Sequence, residues 1–250
     1  TNRALTEKFG SGLIEGTDVP VNSLAGLALK PLLDGRLRFI PERYAKTYQS
    51  WLENLRDWPI SRQLWWGHRI PIWYCQKCEQ TISGIEDPNK CDNCGSQKLV
   101  QDTDVLDTWF SSALWPFSTM GWPEDTAELK EFYPTDVLCT AREIITLWVS
   151  RMVMMGQYCL SDIPFTEVYI HAMIQDGEGR KMSKSLGNGI DPLVVIDSHG
   201  ADAMRFTLAS MTTETQDVRM PVVQMTLPDG RQANTSPKFD IGRNFCNKLW

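Results

Sequence analysis

The chain has 250 residues, of which 42% are apolar and 22% are charged, and its formal net charge is −6. This composition is typical of a globular protein and argues against a disordered, fibrous or membrane-spanning chain. The net negative charge also excludes a protein that coats nucleic acid through an overall basic surface. No segment has the pattern of a signal peptide, so the sequence predicts a cytoplasmic protein without membrane attachment.

The N-terminal third contains three distinct kinds of segment. Residues 1–40 are rich in glycine and turn residues, and they end in a strand-like segment over 36–40. A predicted helix then runs from Pro41 to Trp58, because proline suits the first turn and aromatic and leucine side chains follow at helical spacing. A tryptophan-rich stretch over 64–73 leads from this helix into a segment that contains four cysteines.

The four cysteines form two Cys-x2-Cys pairs with twelve residues between them. Four thiolates suit the tetrahedral coordination of zinc, and four protein ligands close the site, so we predict a structural zinc site. Four free cysteines are the alternative, but they would leave reactive thiols exposed in a polar loop. The predicted ligands are Cys75, Cys78, Cys91 and Cys94. The three other cysteines are predicted to be small core residues: Cys139, Cys159 and Cys246.

The middle of the chain predicts a strand, a helix and a second strand. Apolar strands are expected over 137–140 and 168–174, and the intervening segment 143–160 is apolar on almost every face, as in a buried helix. This order predicts a right-handed parallel crossover, whose ligands bind beyond the carboxyl ends of the strands. By this rule, residues 140–143 and His171 are candidates for ligand contact.

A glycine turn after the second strand is followed by Lys-Met-Ser-Lys-Ser at residues 181–185. Two lysines three residues apart, in a loop hinged by glycines, can place their ammonium groups on the oxygens of a polyphosphate. Such an arrangement suits a reaction that releases pyrophosphate. From spacing alone, a solvent-exposed loop of lysine and serine is an equal alternative.

The run 181–185 resembles the Lys-Met-Ser-Lys-Ser loop of class I aminoacyl-tRNA synthetases. Its continuation, Leu-Gly-Asn at 186–188 and Gly-Ala-Asp-Ala-Met-Arg-Phe at 200–206, is similar to the valyl, isoleucyl and leucyl members. The segment 104–117, which contains Asp-Thr-Trp-Phe-Ser-Ser, resembles the valyl branch more than the isoleucyl branch. The similarity covers roughly residues 36–250 and becomes poor before them.

The resemblance implies an α/β fold that comprises the C-terminal half of a Rossmann-type catalytic domain, a small zinc-binding insertion and the start of an α-helical anticodon-binding domain. The family's His-Ile-Gly-His motif is absent from the sequence, so we expect an internal fragment that is inactive alone and also lacks the editing domain. The expected segments are 1–40, the end of an editing or insertion region; 41–74, a return into the catalytic domain; 75–100, the zinc-binding insertion; 101–175, the Rossmann catalytic half; 176–235, the lysine loop and stem-contact region; and 236–250, the start of the anticodon-binding bundle.

The resemblance also implies the reaction, which is activation of valine by ATP to valyl-adenylate and transfer of the valyl group to tRNA(Val). The enzyme is expected to be a monomer and to use Mg²⁺ with ATP. The implied catalytic residues are Lys181 and Lys184. The implied ATP-binding residues are Lys181, Met182, Ser183, Lys184, Ser185 and His171. The implied amino-acid-binding residues are Glu143, Ile144, Trp148 and Trp109, with Glu143 standing where the family usually has a shorter aspartate.

Two other interpretations stay open at this point. A fragment of an isoleucyl- or leucyl-tRNA synthetase would share the fold and the reaction. A non-catalytic, zinc-dependent module that binds nucleic acid would also use four cysteines and many tryptophans. Such modules are usually basic, whereas residues 75–98 carry three lysines against four acidic residues.

Overall fold

The computed structural model describes residues 3–213, 216–227 and 229–250. Their helices in chain order are α1 (Arg3–Phe9), α2 (Leu24–Leu33), α3 (Arg43–Glu53), α4 (Thr108–Ser118), α5 (Ala127–Phe132), α6 (Ser150–Cys159), α7 (Pro192–His199), α8 (Ala201–Met211) and α9 (Lys238–Leu249). Their strands are β1 (Arg38–Ile40), β2 (Ser61–Arg62), β3 (Ile72–Cys75), β4 (Thr81–Ser83), β5 (Leu99–Gln101), β6 (Val105–Leu106), β7 (Thr135–Thr140), β8 (Phe165–Ile170), β9 (Ile174–Asp176), β10 (Val218–Met220), β11 (Val223–Thr226) and β12 (Gln232–Thr235). None of the helices in these described ranges is long and apolar enough to cross a membrane.

The chain divides into two compact units. The first comprises Thr1–Leu138 and Glu143–Val168, and the second comprises Cys139–Arg142 and Tyr169–Trp250. Strands β7 and β8 carry the chain from the first unit into the second.

The first unit has a core formed mainly by α2, α3, α4 and α6. The hydroxyl of Tyr48, at the centre of this core, donates to the carbonyl oxygen of Ala28 at 3.0 Å. Burial raises the pKa of Tyr48 far above its ordinary value, so the phenol stays neutral. The fully buried apolar side chains of this unit include Leu29, Leu37, Leu52, Phe117, Ile145, Val149, Met152, Val153 and Phe165.

The predicted parallel crossover is confirmed. The amide of Thr135 donates to the carbonyl of Pro164, and the amide of His171 donates to the carbonyl of Thr140, so β7 and β8 run in the same direction. The sheet has the order β1-β8-β7. The connecting helix begins with a 3₁₀ turn (Arg142–Ile144), continues as a π-helical turn (Ile145–Val149) and becomes α-helical in α6.

Two elements differ from the prediction. The strand expected over 168–174 is two strands, β8 and β9, because the amide of Met173 donates to the carboxylate of Asp217 instead of to a sheet neighbour. The helix expected from Pro41 to Trp58 is α3, which ends five residues earlier. The side chain of Asn54 donates to the carbonyl of Ser50 and satisfies a group at the helix end, which favours termination there.

The prediction that the three unpaired cysteines are core residues is wrong for Cys139, which is exposed, while Cys159 and Cys246 are half-buried. Neighbouring side chains of a strand point to opposite faces. In β7 the buried side chains are Leu138 and Thr140, so the residue between them points outward.

The second unit is built on a parallel pair, β9 with β10, and an antiparallel hairpin, β11 with β12. Helices α7, α8 and α9 pack against one another. Asp191 caps α7 by accepting from the amide of Leu193, and Pro192 occupies the first turn. The core of the unit consists of Val195, Val218, Met220 and Phe239.

Candidate functional site

The four cysteines predicted as zinc ligands lie together at one end of a small antiparallel sheet with the order β4-β3-β5. All four sulfur atoms lie within 4.8 Å of one another, and two pairs, Cys75 with Cys94 and Cys78 with Cys91, are 3.6 Å apart. Sulfur ligands about 2.3 Å from a tetrahedral zinc ion are separated by about 3.8 Å. The cluster therefore has the donor set and the spacing to hold a metal ion.

Backbone amides surround these sulfur atoms. The amides of Lys77 and Cys78 donate to Sγ of Cys75 and lower the pKa of that thiol to about 6. The amide of Gln80 donates to Sγ of Cys78 and lowers its pKa as well. Amides that stabilise the thiolate form prepare both sulfurs for metal binding, because thiolates are the metal ligands.

In the first unit, two of the predicted amino-acid-binding residues line one pocket. Trp109 and Trp148 share a pocket of about 420 Å³ with Trp115 and three serines. The indole N–H of Trp148 donates to the carbonyl of Ser112 at 3.0 Å, and its ring packs at a tilt against Trp115. The pocket is thus bordered by rigid aromatic walls and a few hydroxyl groups, as suits a small, mainly apolar ligand.

The two other predicted amino-acid-binding residues lie outside the lining of this pocket. Glu143 is exposed and Ile144 is half-buried, both in the 3₁₀ turn that precedes the π-helical turn. The structure therefore does not bring all four predicted residues to one pocket.

Asp107 supports the tryptophan pocket, and sequence reasoning missed its role. Its carboxylate accepts from the indole of Trp58 at 2.9 Å, from the guanidinium of Arg62 at 2.8 Å and from the amide of Trp109. The guanidinium of Arg151 lies over the ring of Trp58, 3.8 Å from its centroid. An aspartate directly before a predicted helix is a capping signal, but the partners of this carboxylate lie 45 and 49 residues upstream.

In the second unit, the predicted ATP-binding residues follow β9. A tight turn over 176–180 reverses the chain, and Lys181 forms an antiparallel bridge with Gln175. We call residues 181–188 the lysine loop. The side chains of Lys181, Lys184 and Ser185 are exposed, and Oγ of Ser183 lies 3.2 Å from Oγ of Ser185.

Met182 points the other way and packs against the core of the second unit. It also borders an apolar cavity of about 460 Å³, together with His171 at the end of β8. His171 is exposed, and its Nδ1 lies 3.0 Å from the carbonyl oxygen of Ala172. The loop therefore presents its cationic side chains to solvent while its methionine anchors it.

Three further polar residues hold the lysine loop. Asp176 and Asn188 form a buried pair beneath it, joined at 3.0 Å. In addition, the side-chain Nδ2 of Asn234, from β12, donates to the carbonyls of Gly187 and Gly189 at 2.7 and 2.8 Å. The sequence alone assigned no role to Asp176, Asn188 or Asn234, and it placed Asn188 only within the motif at 186–188.

A partly buried ion pair completes the surroundings of β9. Arg142 donates to Asp217 at 2.5 Å, and the same carboxylate accepts from the side chain of Gln175 and the amide of Met173. These bonds hold the chain on both sides of the break between β8 and β9. The turn and the lysine loop follow directly after this held segment.

Comparison with known proteins identifies the family. Residues 19–221 match the family model described as tRNA synthetases class I (I, L, M and V). The chain belongs to the class I tRNA synthetases. Within this synthetase family, it is 54% identical to the Valine--tRNA ligase of Thermotoga maritima and 51% identical to that of Clostridium tetani, each over 93% of the chain. The synthetase chain spans about a quarter of the length of these relatives, 25% in each case.

Solved structures agree with this assignment. The LeuRS of Agrobacterium radiobacter K84, in a ternary complex with tRNA and LeuAMS, superposes with a TM-score of 0.62 at 27% identity, covering 78% of this synthetase chain and 27% of that one. The methionyl-tRNA synthetase of Mycobacterium tuberculosis bound by methionyl-adenylate gives a TM-score of 0.59 at 19% identity, covering 85% and 39%. The second likeness, at this low identity, shows the shared synthetase fold alone.

Proposed function

We propose that the full-length protein is a valine–tRNA ligase, which activates valine with ATP and transfers the valyl group to tRNA(Val). The observation that carries the proposal is the lysine loop, with two exposed lysines and a half-buried methionine packed on the core, in a chain about 50% identical to proteins named Valine--tRNA ligase. The LeuRS complex with tRNA and LeuAMS supports a tRNA and an amino acid as the classes of partner.

The chemistry proposed for the lysine loop is charge stabilisation. A carboxylate oxygen of valine attacks the α-phosphorus of ATP, the bond from that phosphorus to the bridging oxygen breaks, and pyrophosphate leaves with the electron pair. Negative charge on the phosphate oxygens grows along this path. The ammonium groups of Lys181 and Lys184 stabilise it most in the transition state, so they raise the rate more than they tighten binding.

The amino-acid site is proposed at the tryptophan pocket. Trp109 and Trp148 would contact the valine side chain, with Ile144 as an additional apolar contact, and Glu143 would pair with the ammonium group. His171 would contact the adenosine part of ATP. Support for Trp109 and Trp148 comes from their shared pocket, whereas Glu143 and Ile144 rest on the sequence resemblance.

Two metal ions enter the proposal with separate tasks. Zn²⁺ held by Cys75, Cys78, Cys91 and Cys94 would be structural, because four protein ligands leave no open coordination position. Mg²⁺ prefers oxygen ligands and would accompany the phosphates of ATP. We also propose that 176–235 contacts the tRNA stem, that 236–250 begins the anticodon-binding bundle, and that the enzyme is a monomer.

The test is amino-acid-dependent exchange of labelled pyrophosphate into ATP by the full-length product of the natural gene. Valine should support exchange, while isoleucine and leucine should not. Lys184→Ala should lower kcat by roughly 100- to 1,000-fold, the cost of removing one group that stabilises transition-state charge. Lys248→Ala, in α9, is the matched control and should leave kcat unchanged.

Exchange with isoleucine or leucine instead of valine would identify a different member of the same family. Exchange with no amino acid by a folded full-length protein would contradict the proposed activity. The chain of 250 residues alone serves as a comparison, and we expect it to show no exchange, because the sequence lacks the His-Ile-Gly-His motif.

A further inference from the structure

The side chain of Asn188 connects three points of the lysine loop and its base. It is only 9% exposed. Its Oδ1 accepts from the amide of Ser183 at 2.9 Å, and its Nδ2 donates to the carbonyl of Lys181 at 3.3 Å and to the carboxylate of Asp176 at 3.0 Å. The bond to Ser183 closes a ring of six residues around Lys184, so Asn188 fixes both ends of the turn that carries this lysine.

Asp176 fixes the preceding residues. It is 4% exposed, and its carboxylate accepts from the amides of Glu178 and Arg180 and from Nε of Arg180 at 2.9 Å. The side-chain bond from Asn188, together with the bonds from Arg180 and Glu178, lowers the pKa of Asp176, so the group is a carboxylate at neutral pH. The main chain at 180, 181 and 183 is thus held by one pair of side chains.

A buried polar pair is costly unless its groups find partners. Both carboxylate oxygens of Asp176 and both polar atoms of the Asn188 amide have partners at hydrogen-bond distance. The pair is therefore specific: an amide at 188 can donate to the carboxylate and accept from Ser183 at the same time, which a second carboxylate cannot do. Replacing one member alone leaves groups of the other unpaired.

We propose that Asp176 and Asn188 are positioning residues for adenylate formation, which hold the lysine loop in the shape that sets Lys184 on the reacting phosphates. The inference rests on the proposed function, since it assigns a task to residues beneath the same loop. Neither side chain touches substrate in this role. Each acts through the main chain of residues 180–183, and a displacement of about 1 Å of a reacting group costs on the order of 100-fold in rate.

The experiment uses four variants of the full-length protein in valine-dependent pyrophosphate exchange. Asn188→Asp keeps the shape of the side chain but places two carboxylates in contact. Asp176→Asn removes the charge. The double exchange Asp176→Asn/Asn188→Asp restores a carboxylate facing an amide. Glu178→Gln is the control from the same turn: it removes one negative charge, as Asp176→Asn does, but from a side chain that is 72% exposed.

For Asn188→Asp we expect kcat to fall on the order of 100-fold while KM for valine stays within about twofold, and the double exchange should recover at least about tenfold. Glu178→Gln should keep kcat within about threefold. The recovery and the constant KM for valine separate positioning from a general loss of structure. A kcat for Asn188→Asp close to that of Glu178→Gln, or no recovery in the double exchange, would overturn the proposal.

A second readout does not depend on activity. Trypsin should cleave after Lys181 and Lys184 at least about tenfold faster in Asn188→Asp than in the wild type and in Glu178→Gln, because the loop opens when a charge-assisted bond is lost. Equal cleavage rates would overturn the proposal even if the wild type catalysed no exchange. If the wild type catalyses no exchange but Asn188→Asp is cleaved faster, the proposed function is contradicted. Asp176 and Asn188 would then shape the loop without a part in adenylate formation.

Discussion

The cysteine segment 75–94 and the lysine loop 181–188 are both short, polar and poor in apolar side chains, yet they are held in different ways. The cysteine segment brings four sulfur atoms within 4.8 Å of one another, an arrangement suited to an external ion. The lysine loop is held by the chain itself, through the buried pair of Asp176 and Asn188 and through Asn234. A segment that binds a metal depends on an ion from outside the chain, whereas a segment held by its own hydrogen bonds can open locally.

Removal of the metal should have the largest effect, and only on the cysteine segment. In the zinc-loaded protein, a chelator should make the main chain after the exposed Lys77 and Lys90 susceptible to trypsin, because structural zinc supplies about 10–16 kcal/mol to small zinc-dependent folds. Cleavage after Lys184 should not change. Cys91→Ser should lose the zinc and Cys159→Ser should keep it. Equal cleavage after Lys77 with and without chelator would show that the segment holds its shape without metal.

Acid should act on the lysine loop through Asp176. The pKa of this carboxyl is lowered by its bonds from Asn188, Arg180 and Glu178, so its stabilisation is complete above about pH 4, the ordinary range of the group, and is lost as the pH falls below that value. We expect the difference in Tm between the wild type and Asp176→Asn to be constant from pH 7 to 5 and to shrink toward pH 3. A difference that does not change with pH would contradict this source of stability.

The bonds from Asn234 should have a moderate effect. Asn234→Ala removes two neutral hydrogen bonds to the carbonyls of Gly187 and Gly189, and we expect a roughly tenfold rise in the opening of the loop. Hydrogen exchange of the amides at 184–188 measures it. Gln232→Ala is the matched control, since Gln232 bonds to Thr226 within the same hairpin. Equal hydrogen-exchange rates in both variants would show that the Asn234 side chain does not stabilise the loop.

The smallest effect should come from one glycine in each region. Gly95 and Gly187 have φ angles of +69° and +64°, with open space around each. Alanine at either position should cost about 1 kcal/mol from the left-handed conformation alone. Hydrogen exchange for Gly187→Ala and zinc affinity for Gly95→Ala should each shift by roughly fivefold. Gly189→Ala, with equally open space and no positive φ, should behave like the wild type.

The sequence was most informative where partners are close along the chain. The four cysteines lie within twenty residues, and their pairs alone predicted the cluster that the structure contains. The crossover of β7 and β8 was likewise predicted from the order of apolar segments. Local spacing also indicated Lys181 and Lys184 as candidate phosphate-binding residues; both side chains are exposed, and their catalytic role stays a prediction.

The features that the sequence did not predict depend on hydrogen-bond partners far away along the chain or on strand register. The break between β8 and β9 depends on Asp217, which lies 44 residues after Met173 and carries no signal of its own. The bonds of Asp107 to Trp58 and Arg62 were not predicted for the same reason, since these partners lie 49 and 45 residues before it. The outward direction of Cys139 follows from strand register, which a four-residue apolar run does not fix.

The π-helical turn at Ile145–Val149 has a consequence for how this region can change in evolution. A π turn arises when a helix accepts one residue more than α-helical spacing allows. Losing a residue there would relax the turn to α-helix but rotate the preceding residues by about 100° relative to α6. Substitutions around Trp148 can therefore accumulate one at a time. A single-residue deletion would have to be compensated at once by repacking against α4, where the carbonyl of Ser112 accepts a hydrogen bond from the indole N–H of Trp148. The length of this segment is expected to vary less among relatives than its sequence.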